Sequence, residues 1–157
     1  MPPQFLFDLS AVDLNNLIWD QMAIRECNPQ RGAMEHLNGI IYINEPSGDI
    51  LGFKDVTDKE FWVEGHIPGR PLLPGVIMIE AAAQLASFYT KRLLGWSGFI
   101  GFGGVENCKF RMPVMPGCRM LILVKKLAER HRRITCAAQG VVNGQLVFEA
   151  NIIGTQV

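Results

Sequence analysis

The stretch GHIPGRPLLPGVIMIEAAAQ, residues 65–84 of a 157-residue chain, sets the folding problem that the rest of the sequence must solve. Pro68, Pro71 and Pro74 each fix φ and remove a backbone donor, and each pushes its predecessor towards extended geometry, so the segment is a stiff, non-helical lead-in. A helix can start only at Gly75. From there VIMIEAAAQLASFYTKRLLG is rich in helix formers, has no interior glycine or proline, and finishes with Lys91 and Arg92 before Gly95, a C-terminal signal. Its 76–89 portion is apolar nearly all round, and Glu80 is its first charge. Such a helix is buried on most sides, so something must wrap it.

The wrapping comes from strands. Residues 37–45 and 49–56 read as two strands around a Pro46-Ser47-Gly48 turn, and 98–110, 119–130, 133–142 and 145–153 read as four more. Asn143-Gly144 joins the last two with a two-residue hairpin signal. One buried helix with about six mostly antiparallel strands predicts an α+β fold in which a sheet curls around the helix. Upstream, apolar residues at helical spacing over 8–25, with Leu14, Leu17, Ile18 and Met22 on one face and Ser10 or Asp13 as caps, predict a short amphipathic helix. Residues 26–36, with Pro29 and Gly32, predict a loop. The sequence holds no internal repeat and reads as a single domain over 1–157, with 1–36 as an N-terminal helix and lead-in.

Composition narrows the function. Lys+Arg and Asp+Glu balance at 15 each, with no long basic run, which argues against nucleic acid as the main partner. Cys27, Cys108, Cys118 and Cys136 form no C-x-x-C pair and lack histidines at zinc-ligand spacing, so they read as reduced, buried thiols in a cytoplasmic protein, with no metal site. The opening MPPQFLFDLSAVDLNNL lacks the basic region of a secretory signal, and no apolar run reaches membrane-spanning length.

The chemistry gathers at the elbow. His66 precedes it, a glycine at 75 lets a ligand approach the backbone, and the free N–H groups of the first helical turn favour developing negative charge. Glu80 and Gln84 lie one turn apart on one helix face. A base, an oxyanion donor and a second acid/base suit proton abstraction beside a carbonyl with loss or gain of a hydroxyl. The residues alone leave alternatives open: His66 as a satisfied loop histidine, Glu80 as half of a buried ion pair, and their meeting within one chain or across a dimer interface. His36 in its loop and His131 between basic residues at a turn read as structural or solvated.

The run Gly65-His66-Ile67-Pro68, then Pro71, Pro74-Gly75-Val76, Glu80-Ala81 and Gln84, resembles the signature of the FabZ-type 3-hydroxyacyl-[acyl carrier protein] dehydratases. The likeness continues through Phe102-Gly103-Gly104-Val105, Lys109-Phe110-Arg111, Pro113-Val114, Pro116-Gly117 and Asn143-Gly144 to Glu149-Ala150, and so covers about residues 37–153. It implies a hotdog fold, a curved antiparallel sheet around one long helix, in homodimers or trimers of dimers. It also implies a cofactor-free lyase that dehydrates a (3R)-hydroxyacyl chain on acyl carrier protein to the trans-2-enoyl product in fatty acid or related lipid synthesis. In that reading His66 is the catalytic base, Glu80 is the acid supplied to the neighbouring subunit, and Gly75, Gln84, Phe102 and Gly103 belong to the oxyanion and substrate-binding positions. Lys109, Arg111 and Arg119, with Lys125 and Lys126 nearby, fall where the family docks its carrier, although their alternation along strands suits solvated faces equally.

Three departures stand against the pattern. The lead-in reads Pro29-Gln30-Arg31-Gly32-Ala33-Met34-Glu35-His36-Leu37-Asn38 where the family has Pro-His-Arg-Tyr-Pro-Phe-Leu-Leu-Val-Asp; Ile67 replaces a phenylalanine; and Cys118 replaces an aspartate. These imply altered substrate preference with the acid/base pair intact. Two other readings remain: a hotdog acyl thioesterase, and a non-catalytic acyl-binding or scaffold subunit.

Overall fold

The computed structural model describes residues 4–157. In chain order the main elements are α1 (Gln21–Cys27), β1 (Gly39–Asn44), β2 (Asp49–Val56), α2 (Gly75–Arg92), β3 (Ile100–Phe110), β4 (Cys118–Arg130), β5 (Arg133–Val142) and β6 (Gln145–Gln156). The six strands form one antiparallel sheet in the order β1-β2-β4-β5-β6-β3, and α2 lies against its concave face. This is the hotdog arrangement, and the strands lie where the hydrophobic alternation and turn signals put them. Asn143 (φ 50°) and Gly144 (φ 77°) form the tight β5–β6 turn, both left-handed as such a hairpin requires.

The sheet is apolar on both faces. Ile50 and Val56 of β2, Met120, Ile122 and Val124 of β4, and Ile134 and Cys136 of β5 face inward with Leu85, Phe88 and Tyr89 of α2. Close packing there demands absent side chains: a Cβ on Gly52 would lie 3.2 Å from Leu85, and one on Gly140 would lie 2.5 Å from the Phe148 ring. The alternate residues Leu51, Phe53, Leu123 and Val141 face outward into a second cluster, which the N-terminal segment covers with Phe5, Leu6, Phe7, Leu9 and Val12. The buried Gln139 side chain fastens that segment by accepting from Leu6 N (2.8 Å) and donating to Gln4 O (2.9 Å). Both ends of its amide are therefore satisfied away from bulk water.

The N-terminal helix expected over 8–25 is a correction. Only Gln21–Cys27 is helical, and Leu14, Leu17, Ile18 and Met22 are exposed rather than stacked on a buried face. Local polar side chains explain the difference. Asp8 accepts from Ser10 N at 2.9 Å and Asp13 from Asn15 N at 3.0 Å, turns that compete with helix, and Trp19 then bridges to Ile40 before Asp20 caps α1 through Ala23 N. Periodicity reported an apolar spacing that the Asx turns override.

Sheet edges differ in a way that matters below. The β1 edge is bridged by Trp19, whereas β3, at the other end, carries exposed Phe102, Val105 and Phe110 and has no strand beyond it among the described residues. No helix of the described residues is long and apolar enough to cross a membrane.

Candidate active site

The proline elbow becomes a loop that presents His66. Its backbone N–H donates to Trp62 O at 2.9 Å, Gly69 turns the chain with φ 80°, and Leu73 N bonds to Val114 O at 2.8 Å, so the segment is held at both ends. The exposed His66 ring places Nδ1 2.9 Å from Leu72 O. A carbonyl can only accept, so Nδ1 carries the hydrogen, and in the neutral ring Nε2 then keeps its lone pair, the arrangement of a base.

Helix α2 begins at Gly75 with Pro74 as N-cap and no side-chain cap, which leaves first-turn N–H groups available. A Cβ at Gly75 would stand 2.7 Å from the Phe110 ring. The exposed Phe110 ring would have to move to admit a side chain at this position. One turn on, half-buried Glu80 accepts from Gln84 Nε2 at 3.0 Å, as the i, i+4 spacing predicts.

Gln84 itself is buried and fully engaged. Its Nε2 also donates to Met34 O (2.7 Å) and its Oε1 accepts from His36 N (3.0 Å), while its own carbonyl accepts from Asn28 Nδ2 (2.9 Å). It pins the lead-in to α2 and orients the Glu80 carboxylate. A pocket opens beside these residues, with Glu80, Gln84 and Ser87 on its helical side and Phe102, Ile134 and Ile153 on its sheet side.

The structure therefore brings Glu80, Gln84 and Phe102 together. His66 lies at the start of the elbow and Gly75 at its end, where α2 begins, and within one chain no hydrogen bond or ion pair joins His66 to Glu80 among the described residues. Gly103 sits at a bulge of β3, where a Cβ would meet Thr155 Oγ1 at 2.5 Å. Of the cations singled out in the sequence, Arg111 pairs with Glu149 (2.7 Å), Arg119 with Asp55 (2.7 Å) while lying over the Phe53 ring, and Lys125 with Asp49 (2.9 Å). Lys109 is exposed on β3.

One cluster escaped the sequence reading. Lys54, on the inner face of β2 and 2% exposed, donates to Glu60 Oε1 (2.6 Å) and to His36 Nδ1 (3.2 Å). Glu60 also accepts from Thr57 N (3.0 Å) and Trp62 Nε1 (3.1 Å). Burial works to raise the Glu60 pKa, but Lys54 and the other donors outweigh it and hold it below the usual carboxylate value. His36 is fully buried instead of solvated, and burial, with Lys54 beside it, lowers its pKa from 6.5 to about 4. Its Nε2 has no hydrogen-bond partner among the described residues. A lysine within a strand otherwise buried on both faces was the available signal.

Comparison with known proteins bears on this geometry. Residues 28–151 match the FabA-like domain family. A 3-hydroxyacyl-[acyl-carrier-protein] dehydratase FabZ of Desulfotalea psychrophila is 33% identical over 139 residues, 87% of this chain and 92% of that protein. The FabZ of Brucella abortus strain S19 is 40% identical over 139 residues, 85% of each chain. Among solved structures, the dehydratase heterocomplex ApeI:P from Xenorhabdus doucetiae superposes with a TM-score of 0.72 at 13% identity, covering 85% of this chain and 90% of that one. A putative thioesterase, yhdA of Lactococcus lactis, gives 0.61 at 13% identity, covering 75% and 87%. At such identities the structural likeness is one of fold.

The buried histidine makes stability depend on pH. The unfolded chain takes up a proton on His36 near pH 6.5 and the folded chain only near 4, so the stability held above pH 6.5 is lost as pH falls towards 4. Urea unfolding of the native protein should lose roughly 2 kcal/mol more between pH 7 and pH 5 than unfolding of His36→Leu. Equal pH dependence in the two proteins would contradict the assignment.

Proposed function

The chain belongs to the FabA-like family, and we propose that it is a hydro-lyase that removes water from a 3-hydroxyacyl chain carried on acyl carrier protein, as its FabZ relatives are named for doing. The observation that carries this reading at the site is the His66 ring, locked by Leu72 O with Nε2 free, set beside a helix that starts at Gly75 and bears Glu80. His66 Nε2 takes a proton from C2 of the (3R)-hydroxyacyl thioester. The Gly75 N–H holds the thioester oxygen while it carries negative charge. As the C2–C3 double bond forms, the C3–O bond breaks, and Glu80 delivers a proton to the departing hydroxyl, which leaves as water.

Glu80 of the partner subunit serves this His66. The lack of any hydrogen bond or ion pair between the two residues within one chain, among the described residues, supports a shared site, and the open β3 edge with its exposed Phe102 and Val105 is the surface on which two copies would continue the sheet. The dimer is thus the smallest active unit, and trimers of dimers build on it. Gln84 acts through Glu80, because its amide is already divided between Met34, His36 and Glu80. Phe102 lines the acyl pocket. The chemistry needs no cofactor, and the unpaired thiols suit the cytoplasm, where this lipid synthesis would run.

Besides the exposed Lys109, carrier docking draws on a second basic surface. Arg111 and Arg119 are already neutralised by Glu149 and Asp55. At the β4–β5 turn, Arg130, His131, Arg132 and Arg133 are all exposed and form no ion pair among the described residues. In register Arg133 faces Thr155, which faces Gly101 on the pocket wall, so the basic turn sits at one end of the acyl pocket. An acidic carrier fits this surface.

His66→Ala should lower dehydration by roughly 10²–10⁴-fold with circular dichroism unchanged, and hydration of the enoyl thioester should fall equally. Near-normal dehydration by the variant would overturn the mechanism. Arg130→Glu with Arg132→Glu should raise KM for the carrier-linked substrate in a salt-sensitive way while leaving a short thioester mimic nearly unaffected. Equal losses with both substrates would place these arginines in the fold and not in docking.

A further inference from the structure

We infer that Lys54 is a positioning residue for both catalytic groups of its chain, a buried cation on which the settings of His66 and Glu80 converge. The inference rests on the shared-site dehydratase reading and adds a route by which that site is held.

Two branches leave Lys54 Nζ. The first runs through Glu60, whose Oε1 takes Lys54 (2.6 Å) and Trp62 Nε1 (3.1 Å) and whose Oε2 takes Thr57 N (3.0 Å). Trp62, 4% exposed, then accepts His66 N at 2.9 Å, so the start of the elbow is anchored in the core by this carboxylate. The second branch runs through His36 Nδ1 (3.2 Å). It holds the 34–36 backbone, which grips the Gln84 amide from both sides, Met34 O on Nε2 and His36 N on Oε1, and Gln84 Nε2 reaches Glu80.

The links at Lys54, His36, Trp62 and Gln84 are buried and those at Glu60 and Glu80 half-buried, where such bonds are strong and a missing partner is costly, while the branches end at exposed Thr57, Met34 and His66. Lys54 has no exposure to water that would reward its charge, and a buried pair of this kind is no better for stability than an apolar pair of similar volume. Its chemistry does supply direction: one ammonium group offers donors to two acceptors on different segments. In a dimer with shared sites, His66 and Glu80 of one chain work in different sites. One Lys54 therefore sets half of each site, and misplacement of either reacting group by about 1 Å is enough to cost rate heavily.

Lys54→Met alone strands the Glu60 carboxylate in the core and threatens folding, so the test uses Lys54→Met with Glu60→Gln, which keeps side-chain volume and removes both charges. Mixed dimers of a Glu80→Gln copy and a His66→Ala copy hold one intact site, with its histidine from the first copy and its glutamate from the second. The double substitution is placed first in one copy and then in the other, with melting temperature and circular dichroism confirming the fold. The expected result is a kcat reduced roughly tenfold or more in both placements, with KM for the carrier-linked substrate changed by no more than about twofold. Loss only in the histidine-bearing copy would overturn the inference by reducing Lys54 to a prop for one loop, and no loss in either copy would overturn it altogether. Mixed dimers already inactive without the double substitution would instead refute the shared site, and the inference with it.

Discussion

Everything in this fold answers to one constraint, the burial of a helix with too little polar surface to face water. Helix α2 carries Leu85, Phe88, Tyr89 and a row of alanines into the concave side of the sheet. Because that helix is wrapped by β2, β4, β5 and β6, its start has to be reached by a segment that is neither helix nor strand, and the prolines of the elbow supply it. The same burial leaves one face, Glu80, Ala83, Gln84, Ala86, Ser87 and Thr90, lining the pocket. A reactive carboxylate on such a helix needs polar company, and Gln84 provides it one turn away. The helix thus serves as core and, in the proposed mechanism, as catalytic platform, and the two roles meet in Gln84, which is buried yet bonded to Glu80.

Polar groups inside this molecule are few, and several of them tie separate segments together. Gln139 fastens the N-terminal segment to the outer face of the sheet, Gln84 fastens the lead-in to α2, and Lys54 links the lead-in to the elbow. A buried amide or ammonium that lacked these partners would cost free energy, so each such residue specifies a contact that apolar packing would leave loose. The departure of residues 29–38 from the FabZ pattern takes on a physical meaning here. His36 stands in the lead-in where that pattern has a leucine, and its ring accepts a hydrogen bond from Lys54, which a leucine could not.

The parts legible in the sequence were those specified by local chemistry. The elbow, the limits of α2, the alternating strands and the Asn143-Gly144 turn all follow from propensities and periodicities within a few residues. The i, i+4 bond between Gln84 and Glu80 follows from helix geometry. What was misread or missed depends on side chains choosing between local and distant partners. Asp8 and Asp13 turn the chain where apolar spacing suggested helix. Arg111 and Arg119 find carboxylates on other strands, 38 and 64 residues away, pairings that no neighbour in sequence announced. The Lys54 cluster joins residues 36, 54 and 60 through tertiary structure alone, and only the oddity of a lysine in a buried strand announced it.

The central claim is chemical: the free Nε2 of His66 removes a proton from C2 of a hydroxyacyl thioester. Mass spectrometry of the native protein acting on a carrier-linked 3-hydroxyacyl substrate in heavy water measures this directly. The account predicts an enoyl product, together with deuterium at C2 of the hydroxyacyl chain recovered as the reversible reaction approaches equilibrium. Release of free carrier thiol with no enoyl product would show hydrolysis of the thioester instead and contradict the account.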